Sequence, residues 1–218
     1  MHSIKYDTII FDLDGTLLNT LDDLMDSLNY ALSKHHYPTH TIDEVRFFVG
    51  SGIKVMIERA LPKEAIHFDD VYQTFVEHYE INKTNKTAPY QGALETIQKL
   101  SEMGFKMAIV SNKYQKAVEE ICKPLFGDYI HVMIGEQPGI QKKPCKDMVM
   151  LAIEKLDCQI ETAIYVGDSD IDVQTAKNAN IPCIGACWGF RGEKLLKEYG
   201  ATYIAKDFKD IIDIIQAK

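Results

Sequence analysis

The sequence predicts a doubly wound, Rossmann-like α/β fold: a parallel sheet covered by helices on both faces, with a small helical domain inserted after the first strand. Three observations predict it. Five short β-rich apolar runs recur along the chain, segments with helical spacing separate most of them, and one stretch near the start places four helical segments in succession.

Taken in order, Tyr6-Asp7-Thr8-Ile9-Ile10-Phe11 reads as a buried parallel strand, and Asp14-Gly15-Thr16 is a turn signal directly after its end at Asp12. The alternation then breaks. Asp22 to His35, Ile42 to Phe48, Ile53 to Leu61 and Asp69 to Asn82 all carry helical spacing, so residues 17–87 are expected to form the inserted domain, and residues 1–16 with 88–218 the core. Pro89 and Gly92 mark the return. Further strands are expected at Lys106 to Val110, Tyr129 to Ile134, Ala163 to Val166 and Pro182 to Ala186. Helices are expected at Gly92 to Met103, Gln115 to Lys123, Lys146 to Leu156 and Asp170 to Asn178. Asp207 to Gln216, with Ile211, Ile212, Ile214 and Ile215 on one side, closes the chain as an amphipathic helix. No internal repeat or low-complexity segment is present.

Length and composition fit this reading. The 218 residues, 46% apolar and 26% charged, suit a globular core with a smaller attached domain rather than a disordered or fibrous chain. Lys and Arg number 24 against 32 Asp and Glu, and the net charge of −8 gives no general attraction to nucleic acid or to an anionic membrane. A bound phosphate must therefore be held locally. The N-terminal residues combine no basic region with an apolar run, which predicts a cytoplasmic protein. The cysteines, 122, 145, 158, 183 and 187, are odd in number and lack a C-x-x-C pair, so reduced thiols are expected, with Cys183 and Cys187 packing around a strand.

In a sheet of this kind, ligands bind beyond the carboxyl ends of the strands. The expected ends carry Asp12, Ser111, Gly135 and Gly167-Asp168. Asp12-Leu13-Asp14-Gly15-Thr16 sets two carboxylates close together, and Gly167-Asp168-Ser169-Asp170-Ile171-Asp172 adds a second acidic turn. One such turn alone reads equally as a helix N-cap at Asp14 or Asp170. Two turns converging on one pole favour a cation between mutually repelling acids, and Mg²⁺, or Mn²⁺ with the same taste for oxygen ligands, suits them.

These residues resemble the motifs of the haloacid dehalogenase superfamily. Asp12 to Thr16 matches the D-x-D-G-T motif, Ser111 in Ile109-Val110-Ser111-Asn112-Lys113 the second motif, Lys143 in Lys142-Lys143-Pro144 the third, and Gly167-Asp168-x-x-x-Asp172 the fourth. The resemblance implies that Asp12 is a nucleophile forming an aspartyl-phosphate and Asp14 a general acid and base. Ser111 and Lys143 would hold the transferring phosphoryl group, while Asp12, Asp14 (through its carbonyl), Asp168 and Asp172 would surround Mg²⁺. Asp172 could instead orient Lys143, and Asn112 could fix the loop or touch phosphate. The presence of Asp14 favours phosphate chemistry over carbon–halogen cleavage, because an alkoxide leaving group needs an acid.

The inserted helices resemble the cap of the phosphoglycolate phosphatase and β-phosphoglucomutase branch. Val49-Gly50-Ser51-Gly52-Ile53 followed by Ile57-Glu58-Arg59-Ala60-Leu61, and Trp188-Gly189-Phe190-Arg191-Gly192, are similar to phosphoglycolate phosphatases. Gly50, Ser51, Gly52 and Arg59 are thus candidate substrate contacts. Gly50-Ser51-Gly52 also reads as a plain helix–loop junction, and Arg59 as the partner of a carboxylate such as Glu58. His35 and His36 read as solvated residues at a helix end, and Trp188 as packing. Cys145-Lys146 replaces the second proline that many relatives carry after Pro144. The implied partner is a small phosphorylated metabolite, with phosphoglycolate first and a pyrophosphate, nucleotide or sugar phosphate next. A phosphosugar mutase is a further reading, and the chain is expected to be a monomer or homodimer.

Overall fold

A computed structural model describes residues 6–217. The first five residues of the expected core domain and its last, Lys218, lie outside them. The chain runs β1 (Thr8–Phe11), β2 (Leu18–Asn19), α1 (Leu21–Lys34), α2 (Ile42–Phe48), α3 (Ile53–Ala60), α4 (Phe68–Asn82) and β3 (Ala88–Pro89). It continues through α5 (Ala93–Glu102), β4 (Lys106–Tyr114), α6 (Gln115–Phe126), β5 (Val132–Glu136) and α7 (Asp147–Leu156). β6 (Ala163–Gly167), α8 (Asp170–Asn178), β7 (Cys183–Ala186), α9 (Gly192–Glu198), β8 (Tyr203–Ala205) and α10 (Phe208–Gln216) complete it.

Six strands form one parallel sheet in the order β5-β4-β1-β6-β7-β8. In β1 the two-residue period of a strand sends Ile9 and Phe11 to one face and Ile10 to the other. Ile9 and Phe11 join Ala93, Ile97, Val118, Ile121, Ile211 and Ile215 from α5, α6 and α10. Ile10 joins Met148, Val149, Ala152, Val173 and Ala176 from α7 and α8. With both faces covered, each fully buried Ile contributes roughly 1.5–3 kcal/mol, and neither face tolerates a charge.

The chain leaves β1 on one side for β4 and β5 and returns on the other for β6, β7 and β8. Strand order reverses at β1, so a crevice opens at its carboxyl end, where Asp12 follows.

Helices α1 to α4 pack around their own apolar cluster, including Leu28, Leu32, Val45, Ile57, Phe75 and Tyr79. Their two connections to the sheet pair as the antiparallel ladder β2–β3. Asp23, itself buried, fixes the returning strand: its carboxylate accepts the backbone N–H groups of Lys86 at 3.0 Å and Thr87 at 2.8 Å.

Several boundaries differ from expectation. β5 begins at Val132 rather than Tyr129, because the Tyr129 and Ile130 N–H groups turn back to the Phe126 carbonyl and close α6. β4 continues past Ser111 to Tyr114, with its pairing to β5 shifted between Val110 and Tyr114. The ladder β2–β3, α9 and β8 were not expected: the strands hold two or three residues each, and α9 has only the adjacent Leu195 and Leu196 as apolar residues. Among the described residues no helix is long and apolar enough to cross a membrane, and all five cysteines are free.

Candidate active site at the reversal of strand order

Asp12 sits at the carboxyl end of β1, its N–H bonded to the Val166 carbonyl at 2.9 Å, so it continues the strand before the chain turns. Gly15 makes the turn. Its φ of +93° suits glycine alone, and a β-carbon there would lie 2.5 Å from Asp168 Oδ2 and 2.8 Å from the Phe190 ring. Asp14 bridges to Leu18 in this turn and caps no helix. Nor does Asp170: Ser169 is the N-cap of α8, in a capping box with Asp172.

Lys143 is buried and spends all three donors inside the site. Its Nζ donates to Asp12 Oδ1 at 2.6 Å, Asp172 Oδ1 at 2.7 Å and the Tyr165 hydroxyl at 3.1 Å. Burial pulls its pKa down, but the two carboxylates overcome that and hold it well above the ordinary lysine value. Asp12 is pushed up, first by burial and then by Asp172, with Lys143 only partly offsetting the rise. Asp168 is raised to about 7 by burial and the Asp172 charge, although Phe190 N–H donates to it at 2.7 Å and the Thr16 hydroxyl at 3.1 Å.

Carboxylate oxygens of Asp12, Asp168 and Asp172 lie within 4.8 Å of one another, all buried. Three buried acids against one lysine leave a deficit of positive charge, and an all-oxygen donor set fits a hard divalent cation. Within this trio Asp172 is the most committed. Its Oδ1 meets Lys143, and its Oδ2 accepts from the Ser169 hydroxyl at 2.6 Å and N–H at 3.1 Å. It thus touches Lys143 while belonging to the acidic trio, so its position suits either role expected for it. The Asp14 carboxylate lies outside the trio, 3.0 Å from Lys113 Nζ.

Asp12, Asp14, Ser111, Asn112 and Lys113 form the floor of a cavity roofed by Leu24, Val49, Gly50, Gly52, Ile53 and Met56 from the inserted helices. Ser111 caps no helix; its Oγ accepts the Lys113 N–H at 3.2 Å. Asn112 fixes loops: its Oδ1 accepts the Lys143 N–H at 2.8 Å, and its Nδ2 donates to the Lys143 and Gly50 carbonyls, both at 3.0 Å. All three Asn112 side-chain bonds are thus made within the protein.

Gly50 and Gly52 reach the cavity, with positive φ at both. Ser51 and Arg59 do not line it. Arg59 donates to the Phe48 carbonyl at 3.0 Å and to Ser51 Oγ at 3.3 Å, closing off the end of α2 and bracing the glycine loop. It pairs with neither substrate space nor Glu58, because the last carbonyls of a helix lack partners and sit within its reach. Of the histidines, His35 bonds Thr74 at 2.8 Å, while His36 is exposed as expected. Trp188 packs on Phe208 and also donates to the Thr16 carbonyl at 2.9 Å.

Two residues at the site carried no expectation of their own. Lys113, two residues after Ser111 in the second motif, is buried against Asp14. Arg191 reads as loop, yet it donates to the Val49 carbonyl at 2.9 Å and to that of Arg46, joining the loop after β7 to α2. Its place in the Trp188-Gly189-Phe190-Arg191-Gly192 run was the available signal.

Comparison with known proteins agrees with this geometry. The sequence pattern of the haloacid dehalogenase-like hydrolases matches residues 9–186. A phosphoglycolate phosphatase of Agrobacterium fabrum is 33% identical, over 83% of this chain and 80% of its own. One from Mesorhizobium japonicum is 32% identical over 92% of this chain and 90% of its own. A crystal structure from Lactobacillus delbrueckii subsp. bulgaricus, described as a candidate phosphoglycolate phosphatase, superposes with a TM-score of 0.93 at 31% identity, covering 98% of this chain and 100% of that one. With its four motif residues gathered at one strand-end crevice and the match spanning most of its length, this chain belongs to the haloacid dehalogenase-like hydrolases.

Proposed function

We propose that the protein is a divalent-metal-dependent phosphomonoesterase that cleaves a compact phosphorylated acid such as phosphoglycolate through an aspartyl-phosphate on Asp12. The observation that carries this reading is the Asp12 carboxylate at the end of β1. It lies on the cavity wall beside Asp14 and Ser111 and is held by Lys143 at 2.6 Å.

Asp12 attacks phosphorus and the ester P–O bond breaks. Asp14 gives its proton to the departing oxygen, then takes one from the water that attacks the acyl-phosphate, freeing phosphate and restoring Asp12. Ser111 holds one phosphoryl oxygen, Lys143 turns one of its three donors from the protein to another, and Asn112 fixes the loop that carries Lys143. Asp12 and Asp168, with the Asp14 carbonyl, would hold Mg²⁺, and Asp172 keeps Lys143 aimed at Asp12. When bound, the cation screens the repulsion between Asp12 and the phosphate dianion and draws charge from the phosphoryl oxygens.

The inserted helices act as a cap that excludes water. Their apolar wall of Leu24, Val49, Ile53 and Met56, set directly over Asp12 and Ser111, favours a compact substrate over a nucleotide. The phosphatase names of relatives at about the same identity over most of the chain point the same way.

The test is phosphate release from phosphoglycolate, pyrophosphate, nucleotides and hexose phosphates, with and without Mg²⁺, for the wild type and Asp12→Asn. Metal-dependent release that Asp12→Asn abolishes, highest in kcat/KM for phosphoglycolate, is expected. Full activity in Asp12→Asn refutes the nucleophile. Interconversion of sugar phosphates without net release makes the protein a mutase.

A further inference from the structure

Lys113 is a buried cation whose partners come from two separate parts of the fold. Its Nζ lies 3.0 Å from Asp14 Oδ1 and donates to the Tyr79 hydroxyl at 2.8 Å, while sitting 5.1 Å above the Tyr79 ring. Tyr79 is fully buried near the end of α4, stacked 5.4 Å from Phe75. The contact with Asp14 is not aligned as a hydrogen bond, so buried Oδ1 is left without one. An ammonium in such a place is costly, and an apolar side chain would pack as stably.

The surrounding contacts dock α4 against the residues that follow Lys113. Tyr114 donates to Glu80 at 2.6 Å, Lys116 pairs with Glu80, and Lys83 pairs with Glu120 at 2.7 Å. Asp14 therefore meets a lysine whose direction is set by a helix of the cap.

We propose that Lys113 is a positioning residue for Asp14, and that Tyr79 makes this positioning depend on the seating of α4. The inference rests on the reading of Asp14 as the acid and base. The Tyr79 oxygen takes one of the three Lys113 donors and aims the ammonium at Asp14. That attraction holds the Asp14 carboxyl away from the Asp12, Asp168 and Asp172 cluster, with an oxygen free to bond the leaving group or water. Lys113 exchanges no proton in either step.

Leaving-group dependence separates this role from plain packing. An alkyl ester such as phosphoglycolate needs a proton on the departing oxygen, whereas p-nitrophenyl phosphate releases a stable phenolate without one. For Lys113→Met, kcat/KM should fall about a hundredfold or more on phosphoglycolate and less than about tenfold on p-nitrophenyl phosphate, following the usual worth of a general acid. Tyr79→Phe should change the same ratio in the same direction by about three- to tenfold, and Lys113→Arg should restore part of it. If Lys113→Met shows no cooperative melt, Tyr79→Phe and Lys113→Arg decide the matter. Equal losses on both esters, or a wild-type ratio in Tyr79→Phe, overturn the proposal. A wild type that cleaves neither ester refutes the phosphatase reading and this one with it; one that cleaves both at a ratio unmoved by the variants refutes only the role of Lys113.

Discussion

Stripping the metal should make the protein lose stability as pH rises, the reverse of ordinary acid denaturation. Asp168 is raised to about 7 in the metal-free site, first by burial and then by the Asp172 charge, and Asp12 is raised as well. An unfolded aspartate releases its proton near pH 3.9. Between these values the folded state holds protons that the unfolded state has lost. Stability is therefore greatest below the unfolded pKa and drains away as pH climbs through the folded one. A displacement of about three units corresponds to about 4 kcal/mol in all, at up to about 1.4 kcal/mol per pH unit. The protons are shared among neighbouring acids, so the slope belongs to the cluster.

Other groups leave the window clear. Glu80, held down at about 2 chiefly by the hydrogen bond from Lys116, contributes with the opposite sign, but its change is complete at lower pH. Lys143, raised by Asp12 and Asp172, loses its contribution only above the ordinary lysine range. Thermal melts in EDTA between about pH 5 and 8 should capture about 2–3 kcal/mol of the loss, or roughly 4–12 °C in Tm for a chain of this size. Saturating Mg²⁺ should flatten the fall by supplying the missing positive charge, and Asp168→Asn should flatten it without metal. A metal-free Tm that stays level or rises across that range, or one that Mg²⁺ leaves unchanged, refutes the reasoning.

Three further outcomes follow from single contacts. Gly15→Ala should cost about 1–3 kcal/mol in chemical denaturation and weaken Mg²⁺ binding by calorimetry, because its β-carbon would strike Asp168 and Phe190 at 2.5–2.8 Å. Asp172→Asn should lower kcat about ten- to a hundredfold in steady-state assays with little change in fold, since it loosens Lys143 without removing a cavity wall. Asp23→Ala orphans the Lys86 and Thr87 N–H groups at the return from the cap, and urea melts should show a loss of about 2–4 kcal/mol.

Much of this molecule was legible because its strands are short, apolar and buried on both faces, and because each functional strand ends abruptly in polar residues. Asp12, Ser111 and Asp168 follow from that rule alone, and Lys143 from the motif that accompanies it. β8 and α9 were not legible: three residues hold too little of a strand's period, and α9 offers only the adjacent Leu195 and Leu196, which set no helical repeat. The side-chain direction of Arg59 was also hidden: on a helix surface an arginine meets either a carboxylate or the free carbonyls of a neighbouring helix, and only the packing of α2 on α3 decides for the carbonyls.

Lys113 and Arg191, which carried no expectation of their own, share a placement with Asn112, which was expected to fix the loop or touch phosphate. Lys113 stands two positions after Ser111, Asn112 one, and Arg191 next to Phe190, whose N–H holds Asp168. Each leads from a motif residue to the cap: Lys113 to Tyr79, Asn112 to the Gly50 carbonyl and Arg191 to the Val49 carbonyl. The inserted helices are therefore fastened to the same short loops that carry the motif residues, and a shift at any fastening displaces a motif residue by its nearest peptide bonds. A catalytic group that must be in place only when water is excluded gains from such an arrangement, because seating the roof and aiming the residue become one motion. Sequence patterns show which residues do the chemistry through their types; they show the fastenings only through neighbourhood, since a lysine, an asparagine and an arginine beside a motif look like any polar loop until the opposing helix is in view.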